Sequence, residues 1–216
     1  MPALPPDLCA GLFGKLPARG DFVREKLPRD FTDAWDAWWL RGLADTQLRS
    51  REEWCAAWLE APVWRFLLPP GLCGRNGVLG LWLPSVDKAG RYYPLTIAAA
   101  ASIDWTPYAG AMMDALAAWE QAGRDALEYD LAPLELLSRI QAALKAGDPR
   151  GPSMDFAPAQ TIWWTDGGPR VKPRVERGTA LPEGMGFATL IDDGWGSAAP
   201  STESITLSSG AGDVQP

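Results

Sequence analysis

After Pro28, the residues Phe31, Trp35, Trp38, Trp39 and Leu43 recur at the spacing that lines up one broad face of a helix. Three indoles on one face bury a large apolar area, and each carries an N–H that wants an acceptor. Such a face cannot stand in water. It demands an apolar layer of comparable size, and the downstream sequence offers one. Val63 to Leu68 (VWRFLL), Val78 to Leu83 (VLGLWL) and Tyr92 to Ala100 (YYPLTIAAA) read as strands. The low polarity of Leu95 to Ala101 marks a strand covered on both faces.

Other elements follow from local signals. Gly11 to Leu16 reads as a strand ended by Pro17. Ser50-Arg-Glu-Glu53 fits a capping box that opens a second helix, carrying Trp54, Trp58 and Leu59 and stopped by Pro62. Ser85 to Gly90 has hairpin-loop composition. Thr106-Pro107 reads as an N-cap before a helix that turns Tyr108, Met112, Ala115, Leu116 and Trp119 inward. A further helix from Pro133 to Lys145 is expected to bury Leu134, Leu137, Ile140 and Leu144. Thr161 to Thr165 and Phe187 to Ile191 read as short strands. Strands joined partly by a hairpin and partly by helices predict an α/β fold, a three-layer α/β/α sandwich with a mixed sheet. The domain is expected over residues 11–195, with a flexible N-terminus at 1–10 and a flexible Ser/Gly-rich tail at 196–216.

Composition narrows the function. The chain has no histidine, which excludes Ser-His-Asp and Cys-His nucleophiles and any His-ligated metal. A net charge of −7 argues against a nucleic-acid or anionic-membrane surface. Cys9, Cys55 and Cys73 are scattered and odd in number, so a reducing compartment and no disulfide framework are expected. The N-terminal residues lack a signal-peptide pattern, and no apolar stretch is long enough to span a bilayer. A cytoplasmic location is therefore expected. The chain holds 12 tryptophans. The surplus beyond the first helix, at Trp64, Trp82, Trp163, Trp164 and Trp195, leaves room for one exposed aromatic anchor at an interface.

Several short motifs have plainer readings. Gly14-Lys15 lacks the upstream glycine and the following Ser/Thr of a phosphate-binding loop. Arg19-Gly20-Asp21 is explained by turn chemistry. The glycines at 71, 74, 77 and 80 have no helix behind them, as a dinucleotide site needs. Asp192-Asp193-Gly194 reads as a turn rather than half a metal site. The best catalytic candidates are Asp21 and Asp87, backed by Arg19 and Arg91, since paired carboxylates can do acid–base work when their environments split their pKa values. The favoured reading pairs each with an arginine or a loop amide, with no catalysis, no metal and no cofactor.

Two blocks carry more than composition. The first is Gly11-Leu-Phe-Gly-Lys-Leu-Pro-Ala-Arg-Gly-Asp-Phe-Val-Arg24. The second is Pro62-Val-Trp-Arg-Phe66 followed by Gly77-Val-Leu-Gly-Leu-Trp-Leu-Pro-Ser-Val-Asp-Lys-Ala-Gly-Arg-Tyr-Tyr-Pro-Leu95. Together they resemble the TagF family of type VI secretion-associated proteins, over roughly Gly11 to Leu144. The resemblance implies a bacterial cytoplasmic α/β/α protein that restrains assembly of the secretion machine after translation. It implies a partner, a scaffold with a forkhead-associated domain, and no catalytic set. The motif residues Lys15, Pro17, Gly20, Asp21, Arg65, Ser85, Asp87, Gly90 and Arg91 are thus candidates for docking or for structure. The rival readings are a carboxylate-dependent, metal-assisted hydrolase using Asp21 and Asp87, and a structural component of the apparatus.

Overall fold

The computed structural model describes residues 5, 8–46, 49–105, 108–146 and 160–196. Among these residues seven strands and five α-helices follow in chain order: β1 Ala10–Gly14, β2 Val23–Glu25, α1 Arg29–Thr46, α2 Arg51–Glu60, β3 Trp64–Leu68, β4 Gly77–Leu83, β5 Leu95–Ala101, α3 Ala109–Glu128, α4 Pro133–Ala146, β6 Thr161–Thr165, β7 Arg174–Gly178 and α5 Met185–Ala188. The strands form one open sheet in the order β2-β1-β5-β4-β3-β6-β7.

Every pairing in that sheet is antiparallel, so the expected mixed sheet is corrected. The crossover between β5 and β6 accounts for the sense of β6. A single crossover helix returns the next strand parallel to the last. Here two helices intervene, and they run back along each other: the Trp119 indole donates to the Ile140 carbonyl at 2.8 Å, and Asp125 pairs with Arg139 at 3.1 Å. A helical hairpin brings the chain back to the end it left, so β6 enters the sheet in the opposite sense.

Side chains alternate across the sheet as the pleat requires. Leu79, Leu81, Leu83, Leu95, Ile97, Ile162 and Trp164 join Met112, Leu116, Trp119, Leu136 and Ile140 of α3 and α4 in one apolar cluster. Trp64, Phe66, Val78, Trp82, Ala98 and Trp163 join Trp35, Trp38, Trp39, Trp54, Trp58 and Phe187 in another. The central strand β4 is buried along its whole length, because helices lie against both of its faces.

The helix after Pro28 buries the expected stripe. Trp35, Trp38 and Trp39 are each at most 1% exposed. The Trp35 ring lies within 6.2 Å of Phe31, Trp38, Trp39, Phe66 and Trp163, and its N–H donates to Thr96 Oγ1 at 2.9 Å. The Ser50 cap of α2 is present, accepting from the Glu53 amide at 3.3 Å.

Several expectations are revised. All twelve tryptophans are buried, so none is an exposed anchor. Six indoles reach an acceptor: Trp35, Trp38, Trp54, Trp58, Trp64 and Trp119. The Trp39, Trp82, Trp105, Trp163 and Trp164 N–H groups meet none, so apolar packing alone holds these rings. In α4 the inward positions are Leu136, Leu137, Ile140 and Leu144, while Leu134 is 69% exposed. The stripe steps in threes and fours from Leu137, and Leu134 at the first turn points past the edge of the sheet toward β2. Tyr108 is only half-buried. The third core strand begins at Leu95 rather than Tyr92, because Pro94 has no N–H for the ladder.

Phe187 to Ile191 is not a strand. Ala188 and Thr189 donate back to the Gly184 and Met185 carbonyls, and Phe187 seats against Trp38, Trp39 and Gly42 of α1. A short apolar run is equally legible as either element, and here local hydrogen bonds plus one anchoring ring decide it. β2 and β7 escape sequence reading because they are the two edges. VRE and RVERG are polar, as edge strands are when they resist pairing with other chains. Thr106-Pro107, most of residues 1–10 and the tail after Gly196 lie outside the described residues. No helix among the described residues is long and apolar enough to cross a membrane, and all three cysteines are free.

Candidate functional site

The two sequence blocks meet at Asp87. β1 ends at Gly14, whose φ of +131° and closeness to the Pro94 carbonyl leave no room for a side chain. That close approach delivers Lys15 beneath the 84–92 hairpin. There its Nζ lies 3.0 Å from Asp87 Oδ2, with side-chain exposures of 7% for Lys15 and 0% for Asp87. Arg91 completes the arrangement, its Nε donating to the same Oδ2 at 2.7 Å. The other carboxylate oxygen caps the hairpin, accepting from the Ala89 and Arg91 amides at 2.9 Å each.

A buried ion pair repays its desolvation only when further hydrogen bonds satisfy the remaining lone pairs. Asp87 meets that condition. Burial opposes its ionisation, but the Arg91 amide and the Lys15 and Arg91 side chains outweigh it and hold the carboxyl well below the usual carboxylate range.

The remaining motif residues extend this knot. Ser85 Oγ donates to the Lys15 carbonyl at 2.8 Å, and the Ser85 carbonyl accepts from the Trp58 indole at 3.1 Å. The knot is thereby tied to the tryptophan face. Arg91 also donates to the Gly20 carbonyl, and the Lys88 amide donates to the Arg19 carbonyl at 3.1 Å. These bonds strap the 15–22 loop across the hairpin. Pro17 sits at the turn closed by the Arg19 amide on the Leu16 carbonyl.

Gly90 has φ +77° with open space around it. Only conformation constrains it, so Gly90→Ala is expected to cost about 1 kcal/mol. Urea denaturation should show this as a lower midpoint at unchanged slope.

Two candidates stand apart. Arg65 projects to the α3 side of the sheet, where it pairs with Glu120 at 2.5 Å and Asp166 at 2.9 Å. Asp21 is exposed, and among the described residues its carboxylate has no ion-pair partner. The expected pairing of Asp21 is therefore corrected. The backbone carbonyl of Gly20, not the carboxylate beside it, meets the arginine. Asp21 and Asp87 differ fully in environment, one solvated and one sealed. No group of three or more His, Cys, Asp or Glu residues able to hold a metal comes together among the described residues. Asp192 and Asp193 are paired with Arg170 and Arg174 at 3.1 and 2.6 Å, as a structural turn.

The outer side of the knot carries a feature the sequence did not single out. Phe22 is 48% exposed although its ring contacts Phe13, Tyr93 and the Lys15 ammonium. With Arg19, Asp21, Arg24 and the exposed Leu134, it lines a groove of about 530 Å³ beside edge strand β2. No spacing rule flags a single phenylalanine in a loop. The only available signal was its place inside the first sequence block.

No curated protein matches the chain. The crystal structure of PA0076 from Pseudomonas aeruginosa PAO1 is similar, with a TM-score of 0.69 and 28% sequence identity, over 89% of this chain and 97% of that one. Residues 11–146 match the model of the TagF N-terminal domain, described as type VI secretion system-associated. That span contains the whole Asp87 knot and the strands and helices that build it, and the chain belongs to the TagF family of type VI secretion system-associated proteins.

Proposed function

We propose that this protein is a post-translational negative regulator of type VI secretion assembly, acting in the cytoplasm without catalysis by binding a scaffold with a forkhead-associated domain. The observation that carries the reading is the family match over residues 11–146. The geometry supports binding over chemistry: the sealed carboxylate of the motif, Asp87, is committed to Lys15, Arg91 and two amides. What the knot offers to a partner is its outer side, with Asp21, the half-exposed Phe22 ring and Leu134 along one groove. The fold in this reading is a three-layer α/β/α sandwich, supported by separate apolar clusters on the two sheet faces.

Forkhead-associated domains recognise phosphorylated motifs through basic residues. A chain of net charge −7 approaches such a surface favourably without being phosphorylated. Calorimetric titration of the unmodified protein into purified scaffold is therefore expected to show saturable, near-equimolar binding that weakens as salt is raised. Leu134→Glu, at an exposed position, is expected to weaken it while leaving the melting temperature unchanged. Absence of binding, with secretion unchanged on deletion and on overproduction, would remove the support for this reading.

A further inference from the structure

A second concavity, of about 440 Å³, lies on the other flank of the hairpin and has a different character. Arg49, Arg51 and Arg91 line it together with Trp54, Cys55, Gly90 and Tyr92, and no carboxylate among the described residues does. Three arginines line one concavity from three places: the residue before the α2 cap, the first residue of α2, and the hairpin. In a chain of net charge −7 such a concentration needs a reason.

The neighbouring acids do not neutralise it. Asp87 is shared between Lys15 and Arg91, so that knot retains an excess of positive charge. Among the described residues Arg49 has no carboxylate partner; its guanidinium donates to the Thr46 carbonyl at 3.5 Å and stacks on the Trp195 ring at 4.2 Å, which holds it in place. Arg51 has no ion pair among the described residues, although Glu52 and Glu53 follow it in the first turn of α2. Those two carboxylates lie outside the lining.

We propose that this pocket binds a phosphate monoester carried on a peptide segment of a partner protein. Planar guanidiniums offer paired N–H donors to phosphate oxygens, and clusters of them are the usual receptor for a phosphorylated side chain. A carboxylate carries half the charge and leaves one cation unmatched. The volume exceeds what a phosphate group fills, which leaves space for the residue bearing it beside Trp54 and Tyr92. The site goes beyond the regulatory reading and does not depend on which protein supplies the segment.

The test is fluorescence anisotropy with a short labelled Gly/Ala peptide bearing one central phosphothreonine, alongside the same peptide with Glu or with unmodified Thr. The phosphopeptide is expected to bind saturably, the Glu form more weakly and the Thr form not at all. Arg51→Glu and Arg49→Gln are each expected to weaken phosphopeptide binding about tenfold or more. Lys172→Glu, an exposed charge reversal away from the pocket, is expected to leave it unchanged. Equal binding of the Glu form would overturn the phosphate assignment. Equal binding of the Thr form, or affinity indifferent to Arg51→Glu in a variant with native circular dichroism, would overturn the site. Scaffold binding measured on the same variants separates this outcome from that of the regulatory reading, since Arg51 lies outside the Phe22 groove.

Discussion

Trp35→Ala is expected to lower the unfolding free energy by roughly 3–5 kcal/mol, the range for deleting a buried aromatic ring. The ring is fully buried amid five other aromatic rings, none of which can collapse far into the void without breaking its own packing. The substitution also strands the buried Thr96 hydroxyl that accepts the indole N–H. An unsatisfied buried hydroxyl adds about 1 kcal/mol or more. A domain commonly holds about 5–15 kcal/mol in total, so this single change takes a large share of it. At about 2–4 °C per kcal/mol for a domain of this size, differential scanning calorimetry should read a drop on the order of 10 °C. Leu40→Ala on the exposed side of the same helix serves as the control, expected within about 0.5 kcal/mol of the parent. If Trp35→Ala melted with the parent, the aromatic cluster would not be the core of this fold.

Asp87→Asn is expected to cost roughly 3–5 kcal/mol, because removing one partner leaves the Lys15 ammonium buried and uncompensated. The amide can still accept from the hairpin N–H groups, so the loss reports mainly on charge. Adding Lys15→Met to Asp87→Asn removes the stranded cation. The double variant is expected to recover part of the loss, and the cycle gives the coupling directly. Asp21→Asn, by contrast, is expected to lie within about 0.5 kcal/mol of the parent.

The pH dependence follows from the same carboxylate. Its folded-state pKa lies below the unfolded one, so the unfolded chain takes up the proton first as pH falls. The stabilisation is complete above the ordinary Asp pKa of about 4 and fades below it. Urea midpoints measured from pH 7 down to pH 2 should therefore fall more shallowly below pH 4 in Asp87→Asn than in the parent. An identical acid limb would mean that Asp87 does not bear the charge assigned to it.

The same residues show how far the sequence reaches. The Trp35–Trp38–Trp39 face, the Ser50 cap and the doubly covered strand at Leu95 are set by periodicity, local hydrogen bonding and apolar content, and each lies where the sequence places it. These signals act within a few residues, so they are written into the chain locally. What they do not carry is the sense in which strands enter a sheet. For β6 that depends on two helices folding back between β5 and β6, which makes it enter antiparallel to β3. Nor do they carry the fate of polar edges, since β2 and β7 become strands only because a neighbour offers them hydrogen bonds.

The candidate site divides in the same way. The residue types in the two blocks were legible as a unit. Which carboxylate the unit turns on was not, because Asp21 and Asp87 look alike in sequence. Tertiary structure separates them: the close approach allowed at Gly14 carries Lys15 beneath the hairpin, and only Asp87 lies within reach of it there. The arginines at 49, 51 and 91 are scattered along a chain whose net charge is acidic. They become one basic pocket only where the hairpin packs beside the start of α2, since charge converges through space and not along the sequence.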